Sequence, residues 1–227
     1  MKMKFPANWL TSDSLGELIS SELRFQIING EIEDGAVLSE NMISKSFETS
    51  RSPVREAFKT LELEGLVTPG RMGITVQGLN EEDIKEIYDV RFLLEGFSIR
   101  KIFEGFDSEE ASEFYKIVDL MKLHADHNDF MEFAFQDLLF HETLIMRANH
   151  KRVSYFWRNI RNIILCLLVV ATEKRFKEVK EELDNLIFRH RILIDALVEK
   201  DQNKIEKWLE DHLLDTNATV MSAYLKK

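Results

Sequence analysis

The chain has 227 residues, 44% hydrophobic and 31% charged, with nine Gly and three Pro. That balance suits a helix-rich globular protein of one large or two small domains and excludes collagen-like and disordered classes. Net charge is −10 and Cys166 is the single cysteine, which excludes a uniformly basic coat and an internal disulfide and suits a reducing cytoplasm.

Residues 1–10 lack the long apolar core of a signal peptide. The apolar run Ile163 to Ala171 is far shorter than the ~20 residues that cross a bilayer. Neither membrane nor export is expected, and the cytoplasm is the expected location.

The first predicted helix runs from about Asp13 to Asn29, with Leu15, Leu18, Ile19, Leu23, Ile27 and Ile28 on one face, and stops at Asn29-Gly30. Ser39 can cap a short helix, Glu40 to Phe47, and Thr49 or Ser50 a second one that extends to Glu64. Only Glu48 and Thr49 separate them, so the two helices must cross steeply, as in a helix-turn-helix. Leu66-Val67-Thr68, a Pro69-Gly70 break and Ile74-Thr75-Val76 then read as a small β-hairpin, or wing.

Asn80 offers an N-cap with Glu81, Glu82 and Asp83 in the first turn, where the helix dipole favours acids. Further helices are expected to start near Ser108, Asn128, His150, Phe176 and Gln202. The expected fold is therefore mainly α: a winged helix-turn-helix over 1–78 and an all-α bundle over 79–227.

Residues 1–78 hold eight Lys/Arg against eleven Asp/Glu, a balance of −3. The useful charge is local. Arg51, Arg55 and Lys59 recur every four residues, which places them on one helix face, while Val54, Ala57, Phe58 and Leu61 seat the opposite face. Arginine there can donate two hydrogen bonds to guanine, and Ser52 and free backbone N–H groups can hold phosphate. Pro53 costs little so early in a helix. On an arbitrary helix such a stripe is a solvated face; the preceding turn and following hairpin together point to DNA.

SRSPVREA followed by LELEGLV resembles the GntR family of bacterial repressors. The resemblance implies that Arg51 and Arg55 meet bases or phosphates, that Ser52 meets phosphate, and that Gly73 at the wing tip lies near the minor groove. Many relatives carry Arg where Asn41 stands, so contacts by the preceding helix, and operator preference, should differ.

The remainder resembles the FCD effector domain of the FadR subfamily, through IYDVRFLLE, FQDLLFHETLI, FRHRILIDAL and a final helix holding His212. Asp137 and His141 are four residues apart and share a helix face; His190 and His212 lie on two later helices, so four donors can converge from three helices. One oxygen and three imidazoles suit a divalent transition metal, zinc first, with nickel or manganese as alternatives. Each histidine alone is more often a packed core or surface residue, and His124, His127 and His150 are read as surface residues.

The resemblance also implies a small carboxylate or sugar acid, such as gluconate, as effector. Arg91 is a candidate partner for its carboxylate, the plain alternative being an ion pair with Glu95. A homodimer on a palindromic double-stranded operator follows from family and operator symmetry. The rival readings are a metal-dependent enzyme built on the Asp/His set, which lacks a nucleophile–base motif, and a bundle whose metal is only structural.

Overall fold

The computed structural model describes residues 4–10, 12–178 and 181–224, the side chains at 181 and 213–218 excepted. It divides into two units, Met1–Asn80 and Glu81–Lys227.

In the first unit, helix α1 (Leu15–Ile28) is capped by Ser14, whose side chain accepts from the Glu17 N–H. Ser39 caps α2 (Glu40–Ser46) in the same way, accepting from the Met42 N–H. The tight turn passes through Glu48 at φ 51° and leads into α3 (Arg51–Leu63). Ser50 occupies the cap position of α3 without a side-chain cap bond. Val54, Ala57, Phe58 and Leu61 are buried, as their spacing requires. Gly65, at φ 75°, ends the helix: the Leu66 N–H turns back to the Leu61 carbonyl at 3.0 Å.

The wing holds one strand more than expected. β1 (Val37–Leu38), β2 (Val67–Gly70) and β3 (Gly73–Val76) form an antiparallel sheet in the order β1-β3-β2. Pro69 and Gly70, read above as a break, are strand residues paired with Ile74 and Gly73. β2 is an edge strand and tolerates proline's missing N–H, so the turn moves to Arg71-Met72.

Among the described residues the second unit has six helices: α4 (Glu81–Ile102), α5 (Ser108–Asp126), α6 (Phe130–Arg147), α7 (Lys151–Glu178), α8 (Glu181–Glu199) and α9 (Gln202–Tyr224). Asp107 and Asp129 cap α5 and α6, and α5, α6 and α8 are followed by residues of positive φ, Asn128, Asn149 and Lys200. Phe114, Phe133, Phe140, Leu144 and Trp208 pack together in the core. The start expected near Phe176 is a correction: α7 runs on to Glu178 because Phe176 packs edge-on against Phe130 and Phe133 as part of the same helix.

At 28 residues α7 is long and apolar enough to cross a membrane, which the uninterrupted run of Ile163 to Ala171 understated. Of its most apolar 18-residue stretch, 61% is buried inside the protein, the habit of a core helix.

Candidate nucleic-acid interface and metal centre

On the first unit, α3 presents Arg51, Ser52, Arg55 and Lys59 to solvent. An open groove of about 580 Å³ is lined by Asn41, Arg51, Arg55, Lys59 and Gly73, so α2, α3 and the wing turn bring these five candidates to one surface. Arg71, missed in the sequence reading, lines it too; its position beside the Gly70 and Gly73 turn was the available signal. Gly73 has a structural reason to be glycine. At φ 142°, a Cβ there would lie 2.1 Å from the Leu38 carbonyl oxygen of β1.

Acids temper this face. Arg55 Nε donates to Glu40 Oε1 at 2.9 Å, and that bond raises the guanidinium and lowers the carboxyl from their ordinary values. The stripe positions themselves carry no acid, but Glu62 of α3 and Glu40 of α2 both line the same groove.

In the second unit, Asp137 and His141 on α6, His190 on α8 and His212 on α9 are all buried. Ligand atoms of Asp137, His141 and His190 lie within 4.8 Å of one another. His212 forms a second such group with His141 and Glu95, a residue that sequence spacing did not mark as a donor. The His212 ring stacks on His141 at 4.9 Å and on Trp208 at 4.3 Å.

The hydrogen-bond pattern tests whether these donors suit an ion. His190 Nδ1 lies 2.8 Å from the Leu186 carbonyl, so Nδ1 carries the proton and Nε2 the lone pair. In the neutral ring that lone pair lies 3.0 Å from Asp137 Oδ1, and apart from this contact neither atom has a hydrogen-bond partner among the described side chains. With the ring neutral, two acceptors face each other, as they do when a cation, a proton or a metal ion, belongs between them. Both His212 nitrogens are likewise unpartnered.

Charge agrees. Burial lowers His212 well below the ordinary histidine value, helped by His141 and Arg91, so one nitrogen's lone pair is available. Burial would raise Asp137, but His141 and His190 hold it well below the carboxylate range. His141 is itself raised: burial lowers it, and Glu95 and Asp137 together more than offset this.

Arg91 makes the ion pair named as its plain alternative, Nε to Glu95 Oε1 at 2.6 Å. That uses only part of the guanidinium. Among the described side chains Nη1, Nη2 and the Tyr88 hydroxyl make no further hydrogen bond of good geometry, although the guanidinium lies 5.5 Å over the Tyr88 ring; burial pushes the hydroxyl up to about 12. Burial would raise Glu95 too, yet Arg91 and His141 hold it at about 2. These groups and His212 line a cavity of about 10 Å³, on the order of one water. Trp208 and His212 also line a groove of about 440 Å³ between α8 and α9.

The other histidines are bound locally. His127 Nδ1 meets the Leu123 carbonyl, His124 lies 3.7 Å from Asp129, and His150 accepts from the Val153 N–H while touching the Phe97 ring. His124 and His150 are half-buried rather than fully exposed.

Residues 15–76 match the model of the bacterial regulatory proteins of the gntR family, and residues 86–215 match the FCD domain. The gluconate operon transcriptional repressor of Bacillus licheniformis is 35% identical, and that of Bacillus subtilis (strain 168) 36% identical, each over 98% of this chain and 92% of the relative. A crystal structure of a GntR transcriptional regulator from Rhodococcus sp. RHA1 superposes with TM-score 0.67 at 27% identity, covering 92% of this chain and 98% of that one.

Proposed function

Because the chain belongs to the GntR family of bacterial transcriptional regulators and carries an FCD domain, we propose that it is a repressor whose hold on operator DNA is released by a small carboxylate or sugar acid. Its relatives are regulators, and the chain is a regulator rather than an enzyme. On this reading it acts in the cytoplasm as a homodimer, each copy placing α3 in a major groove and its wing turn beside the minor groove. Arg51, Arg55 and Lys59 supply cations, Ser52 binds phosphate, and Asn41 sets local preference. Leu93 and Phe97 on α4, 68% and 45% exposed, offer apolar surface for pairing.

The metal reading assigns a divalent transition ion, zinc first, to Asp137, His141 and His190, with His212 closing the set. Bound there, the ion would supply a Lewis-acidic centre for anionic oxygens. The observation that carries the effector reading is the Arg91 fork: two buried N–H groups beside His212, with no further hydrogen bond of good geometry among the described side chains, form the edge that a carboxylate accepts in bidentate fashion. The Tyr88 hydroxyl adds a hydroxyl-binding group. A sugar acid exceeds the one-water cavity, so entry requires Trp208 to move toward the larger groove. Gluconate, named for two relatives' operons, is the first candidate.

The test is a calorimetric titration of zinc-loaded protein with gluconate and other sugar acids, paired with operator affinity by fluorescence anisotropy. A selective ligand that weakens DNA binding supports the reading; no ligand among small carboxylates would overturn it. A coupling of ~1–3 kcal/mol corresponds to roughly 5–150-fold.

A further inference from the structure

His141 faces a carboxylate with each ring nitrogen. Nδ1 lies 3.0 Å from Glu95 Oε2, and Nε2 lies 3.6 Å from Asp137 Oδ1. A neutral imidazole keeps a lone pair on one nitrogen alone, and that nitrogen must be the metal ligand. Two donor triads share this ring, Glu95 with His212 and Asp137 with His190. One imidazole cannot offer both nitrogens to one ion, so for that ion Glu95 and Asp137 are alternatives, while His212 can complete either set.

The choice is made by what else each carboxylate does. Glu95 Oε1 already accepts from Arg91 Nε at 2.6 Å, and both residues are 3% exposed. A carboxylate neutralised by a guanidinium is a weak ligand for a dication and a good acceptor for an imidazole N–H. Among the described residues no guanidinium bonds Asp137: its Oδ1 faces His190 Nε2 at 3.0 Å, in a ring that the Leu186 carbonyl fixes from behind.

Resting on the metal reading above, we propose that Glu95 is a positioning residue, which accepts the His141 Nδ1–H, turns Nε2 into the Asp137 triad and thereby decides where the ion sits. One carboxylate is then the joint between Arg91, the effector-binding candidate, and a metal ligand. Sequence spacing gave no hint of it, because Glu95 and His141 are on different helices, α4 and α6.

The experiment uses the full chain and zinc as the probe. Parent and Glu95→Gln are titrated against a chromophoric chelator, with circular dichroism confirming the variant's fold. Both should take up one equivalent, the variant with about 10–100-fold weaker affinity. In parallel, long-range proton–nitrogen correlation on the zinc-loaded, ¹⁵N-histidine parent should show His141 protonated at Nδ1 and metal-bound at Nε2, a signature that a purely structural Glu95 would not set. Equal zinc affinity in a folded Glu95→Gln, or zinc on Nδ1, overturns the role of Glu95. A parent that takes up no zinc overturns the metal reading itself, so the two failures are distinguishable.

Discussion

Metal removal should lower the melting midpoint of the helical unit by an amount that the structure allows to be worked out. Asp137 and His141 sit on α6, His190 on α8 and His212 on α9, so the folded unit gathers donors that the unfolded chain disperses. An ion that binds only the folded state stabilises it by about 2.7 kcal/mol at a free concentration ~100-fold above Kd. The unit spans Glu81–Lys227, a size at which each kcal/mol moves the midpoint by about 2–4 °C. Zinc in that excess should therefore raise the midpoint roughly 5–11 °C over the EDTA-treated protein. Asp137→Asn keeps the shape and removes the charged donor, and should erase the difference. Differential scanning calorimetry of the full chain reads both. The same midpoint with zinc and with EDTA, or an undiminished rise in Asp137→Asn, would refute the reasoning.

Arg55→Ala should weaken operator binding by about 10–100-fold without unfolding the protein, as expected for a lost bidentate base contact; unchanged anisotropy curves on operator DNA would sink the α3 assignment. Gly73→Ala must push a Cβ away from the Leu38 carbonyl, 2.1 Å from its built position, and should cost the first unit about 2–4 kcal/mol; an unaltered urea midpoint would contradict this. Trp208, stacked on His212 at 4.3 Å, should change its emission when gluconate binds zinc-loaded protein, and Trp208→Phe should remove the change while Trp9 and Trp157 still emit. A calorimetrically saturated site with constant parent emission counts against entry past Trp208. Glu95 is held at about 2 against an ordinary 4.5, so its contribution is present above pH ~4.5 and is lost as pH falls toward 2. Metal-free protein should accordingly show a falling urea midpoint across that window, and a flat midpoint would speak against the buried pair.

What could be read in the sequence was local. The cap Ser39 and the buried positions of α3 depend on residues three or four apart, and so does the shared face of Asp137 and His141. β1 escaped because two residues, Val37 and Leu38, carry no periodicity and are strand only through pairing with Thr75 and Ile74. The α7 boundary escaped because polar Glu173, Lys174 and Arg175 looked like a break, whereas Arg175 is buried and Phe176 packs on α6. Glu95 was visible only as an i,i+4 partner of Arg91; that it also reaches His141 is a fact of helix packing.

The two arginines on which the proposed function turns are held alike and exposed differently. In each, Nε is bound to a glutamate, Arg55 to Glu40 and Arg91 to Glu95. A carboxylate on Nε leaves the paired Nη groups as the available edge, the one that matches guanine or a ligand carboxylate. Side chains of Arg55 and Glu40 are 64% and 31% exposed, so water and salt screen the pair and DNA can replace Glu40 without stranding a buried charge. Arg91 and Glu95 are 3% and 4% exposed, and displacing either partner would leave an uncompensated charge in the core. The fork of Arg91 is thus fixed before a ligand arrives, and binding there loses little to ordering. Selectivity should accordingly be sharper among effectors, where the recognising group cannot adjust, than among operator sequences, where Arg55 can exchange partners.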